Sequence, residues 1–142
     1  MNLFTSSQGI RKSKVPNVRT ALKDETLFLH RYLQRYDSVI LIFVKSYVFR
    51  WYRSDVLDFY DSLINEKAAV HPVLVVQNMS LDLGDRESLL DVDNQLFLQL
   101  GISYLPQYFL VDDANRIIGN SSNLDMSAFN KLIKNTYPKT QN

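Results

Sequence analysis

The feature that most constrains the fold is an unbroken apolar run at residues 39–44, with the sequence Val-Ile-Leu-Ile-Phe-Val. Turn-forming or charged residues flank the run, with Asp37 and Ser38 before it and Lys45 after it. A run rich in β-branched residues and without polar alternation is typical of a strand buried on both faces. The sequence therefore predicts a central strand of an α/β domain, covered by helices on both sides.

A second strand and a crossover helix follow this run. Apolar residues recur at helical spacing from a cap at Ser54 or Asp55 to about Ala69, and Val73–Val76 is a second short apolar run. Parallel neighbouring strands need a crossover of about this length. The sequence therefore predicts a strand–helix–strand unit with two parallel strands.

The remaining elements are predicted from periodicity and turn residues. An apolar stripe predicts a helix over residues 17–36, and residues 78–94 are predicted to form a long acidic connection. A short helix is expected at residues 95–100, closed by Gly101. A strand headed by Pro106, a hairpin arm at residues 116–118, a loop at 119–123 and a last helix capped by Asp125 complete the order.

Composition limits the possible functions. The 142 residues carry a formal net charge of +1 and include no cysteine. The near-zero charge gives no general attraction to nucleic acid, and the missing thiols exclude disulfides and zinc–thiolate sites. No stretch reaches the length needed to span a bilayer, so an integral membrane protein is not expected. The first residues lack the apolar run of a signal peptide, and the compartment stays undecided.

The N-terminal segment differs from the rest of the chain. Residues 1–16 contain Arg11, Lys12 and Lys14 but no acidic residue, whereas residues 17–142 have the pattern of one domain. The segment is predicted to be a flexible tail, or else a basic arm that orders against an acidic partner.

Candidate catalytic and metal-binding residues are few. Asp91 and Asp93 alternate as calcium ligands do, but the spacing and central glycine of an EF-hand are missing. His30 and His71 are the only histidines, and neither accompanies a nucleophile-elbow motif. No cofactor or metal is predicted.

The element order and three local sequences resemble the thioredoxin superfamily over residues 17–135. They are residues 41–47, which resemble the strand and aromatic before the family's active site, residues 105–112, similar to its cis-proline strand, and Gly119 with the terminal helix. The resemblance implies a three-layer sandwich with a central mixed β-sheet flanked by helices. It also implies a cis Leu105–Pro106 bond before the third core strand. Residues 79–82 and the loop behind them look similar to periplasmic thioredoxin-like proteins of pilus and secretion-system assembly.

The resemblance places the family's two redox cysteines at Val48 and Trp51. A valine and a tryptophan cannot form or exchange a disulfide, so thiol–disulfide and cysteine-dependent peroxidase activities are excluded.

The segment around these positions mixes aromatic and basic residues, which often dominate protein-binding hot spots. Tyr47 and Trp51 are expected to fold back into the core. The predicted contact surface for other proteins consists of Phe49, Arg50, Tyr52, Arg53, Leu105 and Pro106.

Several functions remain open for such a chain. It is interpreted as a non-catalytic interaction module or structural subunit of a multiprotein assembly. One alternative is a periplasmic chaperone or assembly factor for secretion or pilus machinery. Another is a cysteine-free enzyme of the glutathione-transferase type that uses Tyr47 to activate a thiol. Single-stranded nucleic acid is not an expected partner, because the charge is balanced and the long loop is acidic.

Overall fold

A seven-stranded mixed sheet forms the middle layer of the computed structural model, which describes residues 13–136. The strands are β1 Arg19–Leu22, β2 Glu25–Phe28, β3 Val39–Phe43, β4 His71–Val76, β5 Ser88–Asp91, β6 Gln107–Val111 and β7 Ile117–Ser121. The helices are α1 Leu29–Leu33, α2 Phe49–Asn65, α3 Gln95–Gln99 and α4 Met126–Thr136, with a 3₁₀ turn at Ser46–Val48. The strand order across the sheet is β2-β1-β5-β4-β3-β6-β7.

Strand β3 lies in the interior of the sheet, and all five of its residues are buried. It pairs in parallel with β4, where Val39 lies opposite His71, and it pairs antiparallel with β6. The predictions of a central strand and of a parallel strand–helix–strand unit are therefore confirmed.

Alternate residues of β3 enter two separate cores. Leu41 and Phe43 pack on the side of α1 and α3, whereas Ile40 and Ile42 pack on the side of α2 and α4. This arrangement explains the uniform apolar run, because a strand between two helix layers has no face left for solvent. The predicted three-layer sandwich is confirmed.

The prediction of one helix over residues 17–36 is wrong. Half of that segment is the β1–β2 hairpin, whose turn contains Lys23 at φ 54°, and only Leu29–Leu33 is helical. Thr20 and Leu27 face each other across the hairpin, and the Thr20 hydroxyl donates to the Leu27 carbonyl oxygen over 2.7 Å. Pairing of β1 with β5 extends the sheet and overrides the helical spacing of the apolar residues.

Three other boundaries differ from the sequence prediction. Strand β5 lies inside the predicted acidic connection, where Leu89 is buried next to β4. Strand β7 continues through the predicted loop to Ser121, and α2 begins at Phe49 rather than at residue 54 or 55. Strand β5 is short and flanked by acidic residues, so its apolar content was too small to stand out from the connection.

The end of α3 and the start of α4 agree with the sequence prediction. Gly101 follows the short helix α3 with φ 64°, which suits a residue without a Cβ. The Asp125 carboxylate accepts a hydrogen bond from the Ala128 backbone N–H over 3.2 Å at the start of α4. Both predicted caps are therefore confirmed.

The predicted cis Leu105–Pro106 bond is wrong, because no peptide bond within residues 13–136 is cis. A trans X-Pro bond is favoured by about 0.5–1 kcal/mol unless packing selects the other isomer. Pro106 is buried here, but the preceding residues Tyr104 and Leu105 are exposed.

The start of the described chain packs on the domain. Lys14 forms a β-bridge with Arg116, and Val15 is buried in the core beside α1. The Val15 N–H donates to the Asn115 carbonyl oxygen over 2.8 Å. The last four residues of the predicted tail, residues 13–16, thus contact the last hairpin. Residues 1–12 of that tail and residues 137–142 lie outside the described residues.

Candidate functional site

The turn after β3 is held against the end of the neighbouring parallel strand. The Ser46 backbone N–H donates to the Gln77 side-chain oxygen over 3.0 Å, and the Asn78 amide donates to the Ser46 hydroxyl over 3.0 Å. Both residues follow β4 directly, so the carboxyl ends of β3 and β4 are tied together. In open α/β sheets this edge is where ligand-binding groups collect.

Four large side chains lie exposed at this edge. The exposed fractions are 69% for Tyr47, 59% for Trp51, 59% for Tyr104 and 53% for Leu105. Tyr47 and Tyr104 meet edge to face with their ring centroids 5.6 Å apart, and Trp51 follows Tyr47 by about one helical turn. We call these four residues the aromatic surface.

Two cations lie on rings of the aromatic surface. The Lys45 ammonium is 5.0 Å from the centroid of Tyr104, and the Arg50 guanidinium carbon is 4.4 Å from the ring centre of Trp51. Both distances are within the range of a cation–π interaction. Arg53 points elsewhere, since it donates to the Asp82 carbonyl oxygen over 3.2 Å.

The membership of this surface differs from the sequence prediction. Phe49 is only 4% exposed and Pro106 is buried, so neither is a surface residue as predicted. Tyr52 is half-buried and packs against the core on the α2 side. Tyr47 and Trp51, which were expected in the core, are exposed.

The early start of α2 explains why Phe49 is buried while Trp51 is exposed. A helix that begins at Phe49 directs Phe49, Val56 and Leu63 into the core and turns Arg50, Trp51 and Arg53 outward. Apolar residues recur at three- and four-residue spacing from residue 49 onward. That pattern was the signal that could have placed the helix start correctly.

The site has no cysteine thiol, because the chain contains no cysteine. Val48 is buried and Trp51 is exposed. Within the described residues, no cluster of three or more histidine, aspartate or glutamate side chains could hold a metal ion. Over residues 13–136, no helix is both long and apolar enough to cross a membrane.

Comparison with known proteins gave matches at the level of structure. No family model matches the chain, and no curated protein matches its sequence. The thioredoxin domain of a thiol-disulfide oxidoreductase from Bacteroides vulgatus superposes with a TM-score of 0.61 at 16% identity, covering 89% of this chain and 97% of that one. The exposed lipoprotein thioredoxin Etrx1 of Streptococcus pneumoniae gives 0.61 at 16% identity, covering 84% and 99%.

A third structure extends the comparison to another enzyme class of the same fold. The mitochondrial 2-Cys peroxiredoxin of Plasmodium falciparum superposes with a TM-score of 0.65 at 13% identity, covering 92% of this chain and 95% of that one. The chain has a thioredoxin-like fold. Because it contains no cysteine, this thioredoxin-like protein cannot carry out thiol–disulfide exchange.

The thioredoxin-like domain also contains a polar cluster around Glu87, just before β5. The Tyr32 hydroxyl donates to the Glu87 carboxylate, and His71 Nε2 lies 2.7 Å from the same oxygen. The Tyr60 hydroxyl accepts the Glu87 backbone N–H over 3.0 Å, and Tyr36 stacks on His71 with ring centroids 3.6 Å apart. The cluster joins α1, α2 and β4, and sequence reasoning missed it because its members are far apart in the chain.

The pKa values in the Glu87 cluster follow from burial and hydrogen bonding. Burial raises the pKa of Glu87, but hydrogen bonds from Tyr32 and His71 outweigh it and leave the pKa below its usual value. Burial, with the nearby Glu87 carboxylate, raises the pKa of Tyr32. Tyr32 is therefore a neutral hydrogen-bond donor to an ionised carboxylate.

A second carboxylate of the thioredoxin-like domain caps a helix. Asp91 is buried at the end of β5, and its Oδ2 accepts the Phe97 backbone N–H over 2.9 Å at the start of α3. Burial raises its pKa despite hydrogen bonds from the backbone of α3. Asp93 instead lies 3.9 Å from Arg19, so the two aspartates have different surroundings and different partners.

Proposed function

We propose that this protein is a non-catalytic protein-interaction module that binds a segment of a partner protein on the aromatic surface. The observation that carries the proposal is the exposure of Tyr47, Trp51, Tyr104 and Leu105 at one edge of the sheet. Each of them leaves more than half of its surface to solvent, and large exposed side chains grouped at one place mark interaction sites more often than scattered ones do.

The residue types support a binding role. Tyrosine and tryptophan contribute large contact areas with few rotatable bonds, and they are enriched among hot-spot residues. Tyr47 and Tyr104 also brace each other, so part of the surface is ordered before a partner arrives. Such pre-organisation lowers the entropy cost of binding.

A binding role also fits the chemistry that the fold has lost. The resemblance to the thioredoxin superfamily places its two redox cysteine positions at Val48 and Trp51, neither of which can exchange a disulfide. We therefore propose that the fold serves as a rigid support for the contact surface, with no reaction at this edge.

The first prediction tests the aromatic surface. Replacing Tyr47 and Trp51 with Ala should leave the thermal midpoint nearly unchanged, because exposed side chains contribute little to folding. It should weaken partner binding by about 2 kcal/mol or more, as expected for hot-spot residues. The tagged wild-type and variant chains would be expressed in the source organism, and the co-purified proteins quantified by mass spectrometry.

A matched control is Ile64→Ala, which removes an exposed apolar side chain from the far end of α2. Proteins retained by the wild type and by this control, but lost by the double variant, would support the proposal. Retention of the same proteins by all three chains would contradict the proposal. A double variant that is destabilised but keeps its binding would also contradict it, because Tyr47 and Trp51 would then act in folding rather than in binding.

A further inference from the structure

Lys45 and Arg50 are cations with no anionic partner in the described chain. Within residues 13–136, no carboxylate lies within ion-pair distance of either side chain. Arg19, Arg35, Arg86 and Arg116, in contrast, each have an aspartate or glutamate partner. Several other cations of residues 13–136 also lack a carboxylate partner, but Lys45 and Arg50 differ from them because they lie on rings of the aromatic surface.

Their position on aromatic rings prepares them to bind an anion. A ring holds the cation in place through its negative face but accepts no hydrogen bond in the plane of the guanidinium group. The N–H donors of Arg50 therefore remain available, and a carboxylate is the group that matches their fork geometry. The ammonium of Lys45 can act as a second point of attraction.

The apolar part of the surface sets a further requirement on the partner. Trp51 and Leu105 expose area that is best covered by an apolar side chain, so a purely acidic segment would leave it in contact with water. The formal net charge of +1 gives no general attraction to a densely charged polyanion. A phosphate backbone is therefore a poorer match than a peptide.

We infer that the aromatic surface binds a peptide segment in which aspartate or glutamate residues alternate with apolar residues. The carboxylates pair with Lys45 and Arg50, and the apolar side chains cover Trp51 and Leu105. This inference rests on the proposed function and names the chemistry of the partner at the same surface.

The test selects random short peptides on the immobilised wild-type protein. Clones that also bind the Tyr47→Ala/Trp51→Ala variant are removed, so that the remaining clones require the aromatic surface. Aspartate and glutamate are expected to be enriched over the starting pool, next to apolar residues. A synthetic peptide from the pool should bind more weakly as the salt concentration rises.

Charge reversal provides the decisive comparison. Lys45→Glu/Arg50→Glu should raise the Kd of that peptide about tenfold or more. The control Arg31→Glu/Lys131→Glu makes the same change in net charge at exposed positions on α1 and α4, and it should leave the Kd nearly unchanged. An equal effect of both double variants would overturn the inference, because it would show only the influence of total charge.

The other outcomes separate this inference from the proposed function. Surface-dependent clones without acidic enrichment would overturn the acidic-peptide inference and leave the binding role intact. Failure to recover any surface-dependent clone would count against both. Binding of an oligothymidine probe that is at least as tight as the peptide and requires Tyr47 and Trp51 would overturn the inference in favour of single-stranded nucleic acid.

Discussion

Phe43 lies in the core between the sheet and helices α1 and α3. It is fully buried in β3, and its ring meets Phe97 and Phe109 edge to face with centroids 5.2 and 5.6 Å away. Phe43→Ala should cost about 3–5 kcal/mol of folding free energy, because the cavity left among these rings cannot close completely. Urea unfolding of the variant and the wild type at one temperature measures the difference.

The exposed Phe28 on the edge strand β2 serves as the control for Phe43. Phe28→Ala makes the same chemical change without creating a cavity, so its effect should be below about 1 kcal/mol. A similarly small loss for Phe43→Ala would be incompatible with its place in the core.

At the level of single residues, the sequence predicted burial in β3 correctly but misjudged the aromatic surface. A six-residue apolar run has one simple solution, since every side chain must be covered. Tyr47, Phe49 and Trp51 are all large and apolar enough for either environment, so composition alone could not sort them. Their exposure depends on the residue at which α2 begins, and that is fixed by tertiary packing.

At the scale of elements, Glu87 ties β5 to its neighbours and makes folding sensitive to acid. The pKa of Glu87 is lowered from 4.5 in the folded state, so its ionised form stabilises the fold. This contribution is complete above pH 4.5 and is lost as the pH falls through the lower folded-state pKa. Glu87→Gln should therefore reduce stability at neutral pH and flatten its decline in acid.

Unfolding free energies measured across the acidic range would test this dependence. Glu66→Gln, which alters an exposed glutamate just after α2, provides the reference for removing one carboxylate. The Arg86 ion pair lowers the pKa of Asp61, so protonation of Asp61 adds to the loss of stability in acid. Burial raises the pKa of Asp91, so protonation of Asp91 opposes that loss, and both effects are common to all variants. Parallel curves for the wild type and Glu87→Gln would contradict the assigned role.

The elements that sequence reasoning missed share a physical cause. Strands β1, β2 and β5 have only four residues each, which is too short for periodicity to separate a strand from a helix or a loop. They exist because they pair with one another and with β4. Long-range pairing of this kind leaves little local signal, whereas caps such as Asp125 are local and were predicted.

At the scale of the whole molecule, the aromatic surface and the Glu87 cluster lie at opposite ends of the parallel strands. The aromatic surface follows the carboxyl ends of β3 and β4, and His71 is the first residue of β4. α2 runs from the turn at the aromatic surface toward Tyr60, which holds Glu87. The effects of one substitution in the aromatic surface and one in the Glu87 cluster on the free energy of unfolding are therefore expected to add.

The contact between Tyr47 and Tyr104 joins two segments that meet only when β3 pairs with β6. A ligand of this surface would bind the folded chain and have no affinity for the unfolded chain, so its binding is linked to the folding equilibrium. At a ligand concentration one hundred times its Kd, linkage predicts a gain of about 2.7 kcal/mol in unfolding free energy. The melting temperature should climb with the concentration of a selected peptide and stay fixed for Tyr104→Ala, as calorimetry can measure. A peptide that raises both melting temperatures equally must bind elsewhere.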